Sequence, residues 1–277
     1  MTGPETDYLG WVMFNDSVIA TDMLKVSPLG SGFMFGEGVF ETMRVQNSRA
    51  MLFDAHDARL ASSLNYLGAV PAIARGALHA RCAKVIAANS LVNGSLKIVV
   101  FKETTGWSEM ILARATTYAA VHYEAGFRLK TTFCDQRVDP LHALKSLNYL
   151  SNIRAKRIAL AAGFDEAVFF NPQRQVLEGA TTNIFMVKDG AISTPRWQSG
   201  ILPGVMRDCV MQMPNPSPII ERDVPLDELL RADEVFVTNT LLGIMPVARV
   251  DTTAYNLGNN SITRLLMAAL VNRLGAA

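Results

Sequence analysis

Three tight-turn signals, each set between two short apolar runs, constrain this chain more than any other feature. Asn15-Asp16 separates residues 11–14 from 18–21, Asn171-Pro172-Gln173-Arg174 separates 167–170 from 175–178, and Lys188-Asp189-Gly190 separates 183–187 from 191–194. Asn and Asp tolerate the left-handed backbone that a tight hairpin needs, and Asp-Gly is the strongest of these signals. Short runs joined so closely pair antiparallel, whereas parallel strands need a long crossover. The chain therefore reads as hairpin-built sheets with helices around them.

The remaining elements extend that pattern. A glycine-rich stretch over 31–38 leads into a strand over 39–45. Asp54 is a good N-cap for a helix running through Arg59 and Leu64 towards Gly68. Small and apolar residues over 72–89 predict a second helix, closed by Asn93-Gly94, and strands are expected over 96–102 and 110–116. Around 120–125 the pattern changes, so a boundary there divides an N-terminal domain, 1–120, from a C-terminal domain, 121–277. A length of 277 residues, generous for one domain, agrees with two.

Beyond the boundary, 127–133 reads as a strand. Helical periodicity over 146–162 (Leu147, Leu150, Ile153, Ile158) ends at Gly163, a natural C-cap. Pro203 is placed to open a helix from Gly204 to Met213, ahead of a proline-rich surface loop over 214–218. A buried strand over 234–238 and an amphipathic helix over 261–274 complete the chain. The sum is an α+β architecture of two mixed domains rather than a βαβ dinucleotide fold. Gly36-Glu37-Gly38 lacks the third glycine and the following helix of a dinucleotide site.

Composition removes several function classes. A formal charge of +1 gives no reason to expect nucleic acid as a partner. The N-terminal stretch is polar and carries Asp7 where a signal peptide needs an apolar run, and no uninterrupted apolar window is long enough for a membrane span. Three dispersed cysteines, Cys82, Cys134 and Cys209, fit reduced buried thiols better than a disulfide framework or zinc site, and four scattered histidines predict no metal centre. A cytoplasmic protein is the expectation.

Three segments could carry chemistry. Lys145 has apolar flanks in Leu144-Lys145-Ser146-Leu147-Asn148-Tyr149; partial desolvation there favours the neutral amine that forms an imine. Taken alone, it also reads as a lysine at a helix start. Glu178-Gly179-Ala180-Thr181-Thr182-Asn183 makes a compact turn whose backbone and hydroxyl donors could face one anionic or heterocyclic ligand. Its carboxylate could hold a pyridine nitrogen protonated, or simply cap a loop. Gly200-Ile201-Leu202-Pro203-Gly204-Val205-Met206-Arg207 opens a helix whose free N–H groups suit a phosphate, or an ordinary helix start.

Read together, these segments resemble the signature of the class IV aminotransferases, the fold-type-IV pyridoxal-phosphate enzymes. The resemblance runs through Glu178, Asn183-Ile184-Phe185, Ile192-Ser193-Thr194 and Leu202-Pro203-Gly204-Val205-Met206-Arg207. Gly36-Glu37-Gly38-Val39-Phe40-Glu41, His56-Asp57-Ala58-Arg59-Leu60, Lys145-Ser146-Leu147-Asn148 and Thr238-Asn239-Thr240 resemble further family segments, so nearly the whole chain is covered. The resemblance implies two mixed α/β domains of the D-amino-acid aminotransferase-like type, pyridoxal 5′-phosphate as cofactor, and a homodimer completing its site across the interface. It implies that Lys145 is the Schiff-base lysine and moves the proton between the substrate α-carbon and the cofactor. Arg59 would pair with the phosphate, helped by backbone at Val205 and Met206 and by the Thr240 hydroxyl. Glu178 would hold the pyridine nitrogen, with Asn183 in the same turn, and Tyr149 would lie near the cofactor oxygen.

The family's reactions differ in the pocket, for which Phe35, Phe40, Lys97, Leu241 and Leu242 are the candidates here. The implied function is transfer of an amino group between an amino acid, of branched-chain or D-amino-acid type, and a 2-oxo acid. The alternative is a 4-amino-4-deoxychorismate lyase, releasing pyruvate and 4-aminobenzoate. Thr104-Thr105-Gly106-Trp107-Ser108 holds no Arg-x-His carboxylate trap of the D-amino-acid enzymes. Phe40-Glu41-Thr42 and Leu242-Gly243-Ile244-Met245-Pro246-Val247 are more like the lyases. An apolar pocket suits a simple aliphatic amino acid, and the transferase reading stands first.

Overall fold

The computed structural model describes residues 7–69, 77–115, 118–135, 140–214 and 217–275. The chain divides into two compact units, one of Met1–Thr117 with Leu144–Asn148, the other of Tyr118–Ala143 with Tyr149–Ala277.

In the first unit, β1 (Trp11–Phe14) and β2 (Ser17–Ala20) form the expected hairpin, with Asn15 at φ 51° in its turn. The glycine-rich stretch, for which the sequence predicts no element, forms a short helix α1 (Ser31–Phe35) before strand β3 (Gly38–Gln46) and the brief β4 (Arg49–Ala50). Gly30 and Gly32 let α1 lie against residues 101–103, because a Cβ at either would stand 2.8 Å from the Lys102 carbonyl. Helix α2 (Phe53–Tyr66) starts two residues earlier than an N-cap at Asp54 predicts. Its N-cap is Leu52, held left-handed at φ 54°, and Asp54 instead puts its charge in the first turn. Helix α3 (Leu78–Ala88) is the described part of the second predicted helix, whose start over 72–76 lies outside the described residues. Strands β5 (Gly94–Lys102) and β6 (Trp107–Arg114) complete a six-stranded sheet in the order β2-β1-β6-β5-β3-β4.

One face of this sheet meets α2 and α3 in a core of Val39, Met43, Val45, Leu60, Leu64, Cys82, Val85, Leu96 and Ile98. Strand alternation sends Val39, Glu41, Met43 and Val45 to that face and Phe40, Thr42 and Arg44 to the other. Two ionic clusters are buried with the core. Arg81 of α3 grips Glu109 of β6 through Nε and Nη2, at 3.0 Å each. Glu41 of β3 accepts from Arg59 Nε and Nη2 and from His56 Nδ1, all at 2.7 Å. Burial pushes the Glu41 carboxyl up, but the hydrogen bonds and charges of Arg59 and His56 outweigh it and hold the pKa at about 2. Burial also drives His56 below its ordinary value, against the pull of Glu41, so the contact is a hydrogen bond from a neutral imidazole rather than an ion pair.

The second unit opens with α4 (Ala120–Ala125) and β7 (Phe127–Phe133). Helix α5 (Leu150–Ala161) is shorter than the periodicity over 146–162 predicts: Ser146 and Leu147 are drawn out of it into backbone pairing with the first unit's β3. For the same reason Lys145, expected on the second domain, packs with the first unit. The two further hairpins are present as β8 (Glu166–Phe170) with β9 (Gln175–Gly179), and β10 (Asn183–Lys188) with β11 (Ala191–Pro195). Asp189 and Gly190 take left-handed φ of 49° and 78° in the second turn. Then follow α6 (Val205–Met211), β12 (Ile219–Arg222), β13 (Val224–Pro225), α7 (Leu226–Leu229), β14 (Glu234–Asn239), β15 (Gly243–Val250), β16 (Thr253–Ala254) and α8 (Ser261–Gly275). Residues 215–216, the centre of the proline-rich loop, lie outside the described residues.

The second sheet runs β12-β11-β10-β14-β15-β7-β8-β9-β13, with β16 on β15 and parallel pairs at β11–β12, β15–β7 and β7–β8. Both faces of its centre are apolar. Ile184, Met186, Val235 and Val237 enter one core, while Phe185 and Phe236 stack on the other face with centroids 4.8 Å apart. Glu234 receives the Ile262 and Thr263 N–H groups at 3.0 and 2.8 Å, a carboxylate from β14 capping the first turn of α8. The cysteines are unbridged; Cys82 and Cys209 are buried as expected, and Cys134 is half-buried. No helix among the described residues is long and apolar enough to cross a membrane.

Two consequences for stability follow. Arg81→Leu strands the Glu109 carboxylate in the core and should cost about 3–5 kcal/mol in urea denaturation, whereas Arg81→Leu with Glu109→Leu should recover most of it. Acidification should act in two stages. The unfolded chain protonates its histidine near pH 6.5 while folded His56 resists, so stability begins to fall there. Ionisation of Glu41 stabilises the fold by roughly 3 kcal/mol over its protonated form, a contribution that is complete above pH 4.5 and lost as pH drops towards 2. His56→Gln should abolish the upper stage and leave the lower.

Candidate active site

In the first unit the lysine segment is delivered to the free edge of β3 by backbone pairing. The Phe40 N–H donates to the Lys145 carbonyl at 2.8 Å, the Leu147 N–H donates to the Gly38 carbonyl at 3.0 Å, and Val39 bridges Ser146. Two glycines make the approach possible. A Cβ at Gly38 would stand 2.6 Å from the Val100 carbonyl and 2.7 Å from Leu147 Cδ1. Gly36 has φ +69°, and a Cβ there would meet Asn148 Oδ1. Gly36-Glu37-Gly38 thus serves close backbone contact rather than a phosphate.

The pairing sets Lys145 Nζ 4.4 Å from the centroid of the Phe40 ring, and Lys97 Nζ lies 4.7 Å from the same centroid. Lys97 arrives there because β5 pairs Lys97 with Thr42 and Val99 with Phe40. Phe40, Lys97 and Lys145 are therefore gathered on one surface. Phe35 is not: it ends α1 at 74% exposure, beside the exposed Phe33 and Met34. Arg59 projects from α2 on the helix-covered side of the sheet, where Glu41 fixes its guanidinium in plane.

In the second unit the turn after β9 gathers the other candidates. Glu178 accepts from Asn183 Nδ2 at 3.2 Å and from the Leu202 N–H at 3.1 Å, and Asn183 Nδ2 also donates to the Leu202 carbonyl at 3.0 Å. The strand end, the turn and the approach to α6 are thereby tied together. Gly204 caps α6, and a Cβ there would overlap Asn183 Oδ1, so Val205 and Met206 begin the helix directly against Asn183. Tyr149 directs its hydroxyl to the Ala180 carbonyl at 3.1 Å, holding the turn. Thr240 and Leu241 follow β14; Leu242, expected in the pocket, is 2% exposed within the core.

Side chains outside the sequence-level set complete the turn. Asn152 Nδ2 donates to the Ala180 carbonyl at 2.9 Å, Asn239 Nδ2 donates to the Thr181 carbonyl at 3.1 Å, and the Thr181 hydroxyl donates to the buried carboxylate of Glu166. Asn239 Oδ1 also accepts the N–H groups of Leu241 and Leu242, at 2.9 and 2.8 Å. Asn239 lies inside the family-like Thr238-Asn239-Thr240 segment, whereas spacing gives no sign of Glu166. Asn152 could be found three residues after Tyr149, on the same helix face. Two buried hydroxyls in this region, on Thr182 and on Thr238 opposite Asn183, have no hydrogen-bond partner among the described residues. No group of acidic, histidine and cysteine side chains able to hold a metal occurs among the described residues.

A family model described as amino-transferase class IV matches residues 38–250. A Methanocaldococcus jannaschii protein with the provisional name branched-chain-amino-acid aminotransferase is 30% identical over 260 residues, 88% of this chain and 89% of its own. A D-alanine aminotransferase of Listeria innocua is 27% identical over 253 residues, 87% of each chain. The structure of the Escherichia coli branched-chain amino acid aminotransferase superposes with a TM-score of 0.85 at 24% identity over 94% of both chains, a likeness of fold. With the family match running from the first residue of β3 to the last of β15, the protein belongs to the class IV aminotransferases.

Proposed function

We propose that this class IV aminotransferase works with pyridoxal 5′-phosphate and moves an amino group between an amino acid and a 2-oxo acid. The observation that carries this reading is Lys145, brought by backbone pairing against Phe40 in a protein of this family. The bound cofactor would supply an electron sink that labilises the proton on the substrate α-carbon. Lys145 would hold the cofactor through Nζ and, as general base and then acid, take that proton and return it. Glu178, held by Asn183 and the Leu202 N–H, presents a carboxylate to a pyridine nitrogen and favours its protonated form. Arg59 binds the phosphate, with the start of α6 at Val205 and Met206 and the Thr240 hydroxyl as further donors. The unpaired hydroxyls of Thr182 and Thr238 support a polar group in this region. Tyr149 acts on the cofactor side through the Ala180 turn that it holds.

Phe40, Lys97 and Leu241 are the substrate contacts in this reading; Lys97 offers its ammonium to the substrate carboxylate while Phe40 screens the reacting atoms from water. The names of the relatives support a branched-chain or D-amino acid as donor. The exposed Leu29, Phe33, Met34 and Phe35 support a homodimer that covers them, and a cytoplasmic location belongs to the same proposal. A second reading, 4-amino-4-deoxychorismate lyase, draws on Thr42, which pairs with Lys97 beside Phe40 and adds a polar group suited to a more oxygenated substrate.

Purified protein should absorb near the visible edge, and Lys145→Ala should abolish that band; an unchanged band in the variant would overturn the assignment. Incubation with amino acids of both hands and 2-oxoglutarate should yield the matching 2-oxo acid and glutamate. Pyruvate released from aminodeoxychorismate with no amino acceptor present would establish the lyase instead.

A further inference from the structure

We infer that Glu41 is the positioning residue of the phosphate anchor: its two-point contact on Nε and Nη2 sets the plane of the Arg59 guanidinium, and His56 holds Glu41 in place. This rests on Arg59 as the phosphate ligand. The geometry is specific. Glu41 occupies Nε and Nη2 at 2.7 Å each, a two-point contact that fixes both the direction and the rotation of the guanidinium plane. A single contact would leave that rotation open. His56 Nδ1 donates to the Glu41 oxygen that also receives Arg59 Nη2, so the carboxylate cannot swing away. The helix supplies both partners because His56 and Arg59 are three residues apart and share one face of α2.

Packing alone gives no reason for a carboxylate at position 41. Its strand neighbours on the same face, Val39 and Met43, belong to the apolar core, and the Glu41 side chain is only 2% exposed. An apolar residue of similar size would serve such a core at least as well, since buried ion pairs add little net stability. What the carboxylate supplies is order. An arginine side chain has many rotamers, and a clamped guanidinium meets an anion with that freedom already removed.

The test compares two ligands on the full chain stripped of cofactor: pyridoxal 5′-phosphate and pyridoxal, which lacks the phosphate. The ratio of their dissociation constants isolates the phosphate contact. Glu41→Gln keeps the shape but cannot accept both Arg59 donors, and should weaken pyridoxal 5′-phosphate about ten- to thirty-fold while leaving pyridoxal unchanged. The phosphorus-31 resonance of the bound phosphate should shift in the variant. Arg59→Ala should reduce the same ratio at least as far, and Glu41→Gln added to it should have no further effect. If Glu41→Gln weakens both ligands equally, or neither, Glu41 is only structural and the inference is overturned. Should Arg59→Ala also leave the ratio intact, the phosphate role of Arg59 falls and this inference with it; a ratio lost on Arg59→Ala alone overturns only the role of Glu41. If Glu41→Gln fails to fold, Glu41→Asp, which keeps the charge but shortens the reach, is scored on the same ratio with a smaller loss expected.

Discussion

A few backbone hydrogen bonds at the edge of β3 decide where Lys145 stands. Segment 145–147 lies a hundred residues away in sequence, and no helix or disulfide brings it there. It is held by Phe40 N–H to Lys145 and Leu147 N–H to Gly38, with side-chain volume removed at Gly36 and Gly38 to let the chains meet. A β-edge pairing fixes register, and register fixes side: one residue of slip would turn Lys145 to the opposite face. The lysine is therefore placed by main-chain geometry, which is far stiffer than its own four-carbon stem.

The second unit solves a different problem, that of holding a turn of small residues still. Ala180, Thr181 and Thr182 have too little side chain to pack themselves into one shape. The neighbours do it instead: Tyr149 and Asn152 share the Ala180 carbonyl, Asn239 takes that of Thr181, and Glu166 anchors its hydroxyl. Glu178 and Asn183 then stand at the two ends of a fixed arc, cross-linked through Leu202. The donors left unmatched, at Thr182 and Thr238, sit within an otherwise satisfied network.

Much of the fold is legible in local chemistry, and the failures have physical causes. The hairpins at Asn15, at 171–174 and at Asp189-Gly190 are readable because turn type depends on the turn residues themselves. The helix over 31–35 escapes notice because Gly32 and Gly36 mask its apolar spacing. Leu147 fits the period of α5, yet tertiary pairing with Gly38 overrides that preference. Capping is similarly opaque: Asp54 looks like the cap of α2 but Leu52 is, and α8 is capped by Glu234 from another element. Among the candidate residues, Lys145, Glu178 and Arg59 stand out through resemblance to a family. Glu41 and His56 lie in the same quoted motifs, but their union with Arg59 exists only once α2 packs on β3. Of the pocket candidates, Leu242 lies in the core and Phe35 at the surface, placements that depend on packing beyond the local sequence.

The route of the chain between its units has a consequence for how the protein can be made. The first unit is assembled from Met1–Thr117 and then, after an excursion of twenty-six residues through the second, from Leu144–Asn148. No single cut yields two complete pieces. A fragment ending near residue 117 has its sheet and both ionic clusters but exposes the bare rim of β3, an unprotected strand edge next to Phe40. During synthesis that rim stays open until the next stretch has emerged and turned back. Lys145, Ser146 and Leu147 are thus among the residues that close the protein's first half.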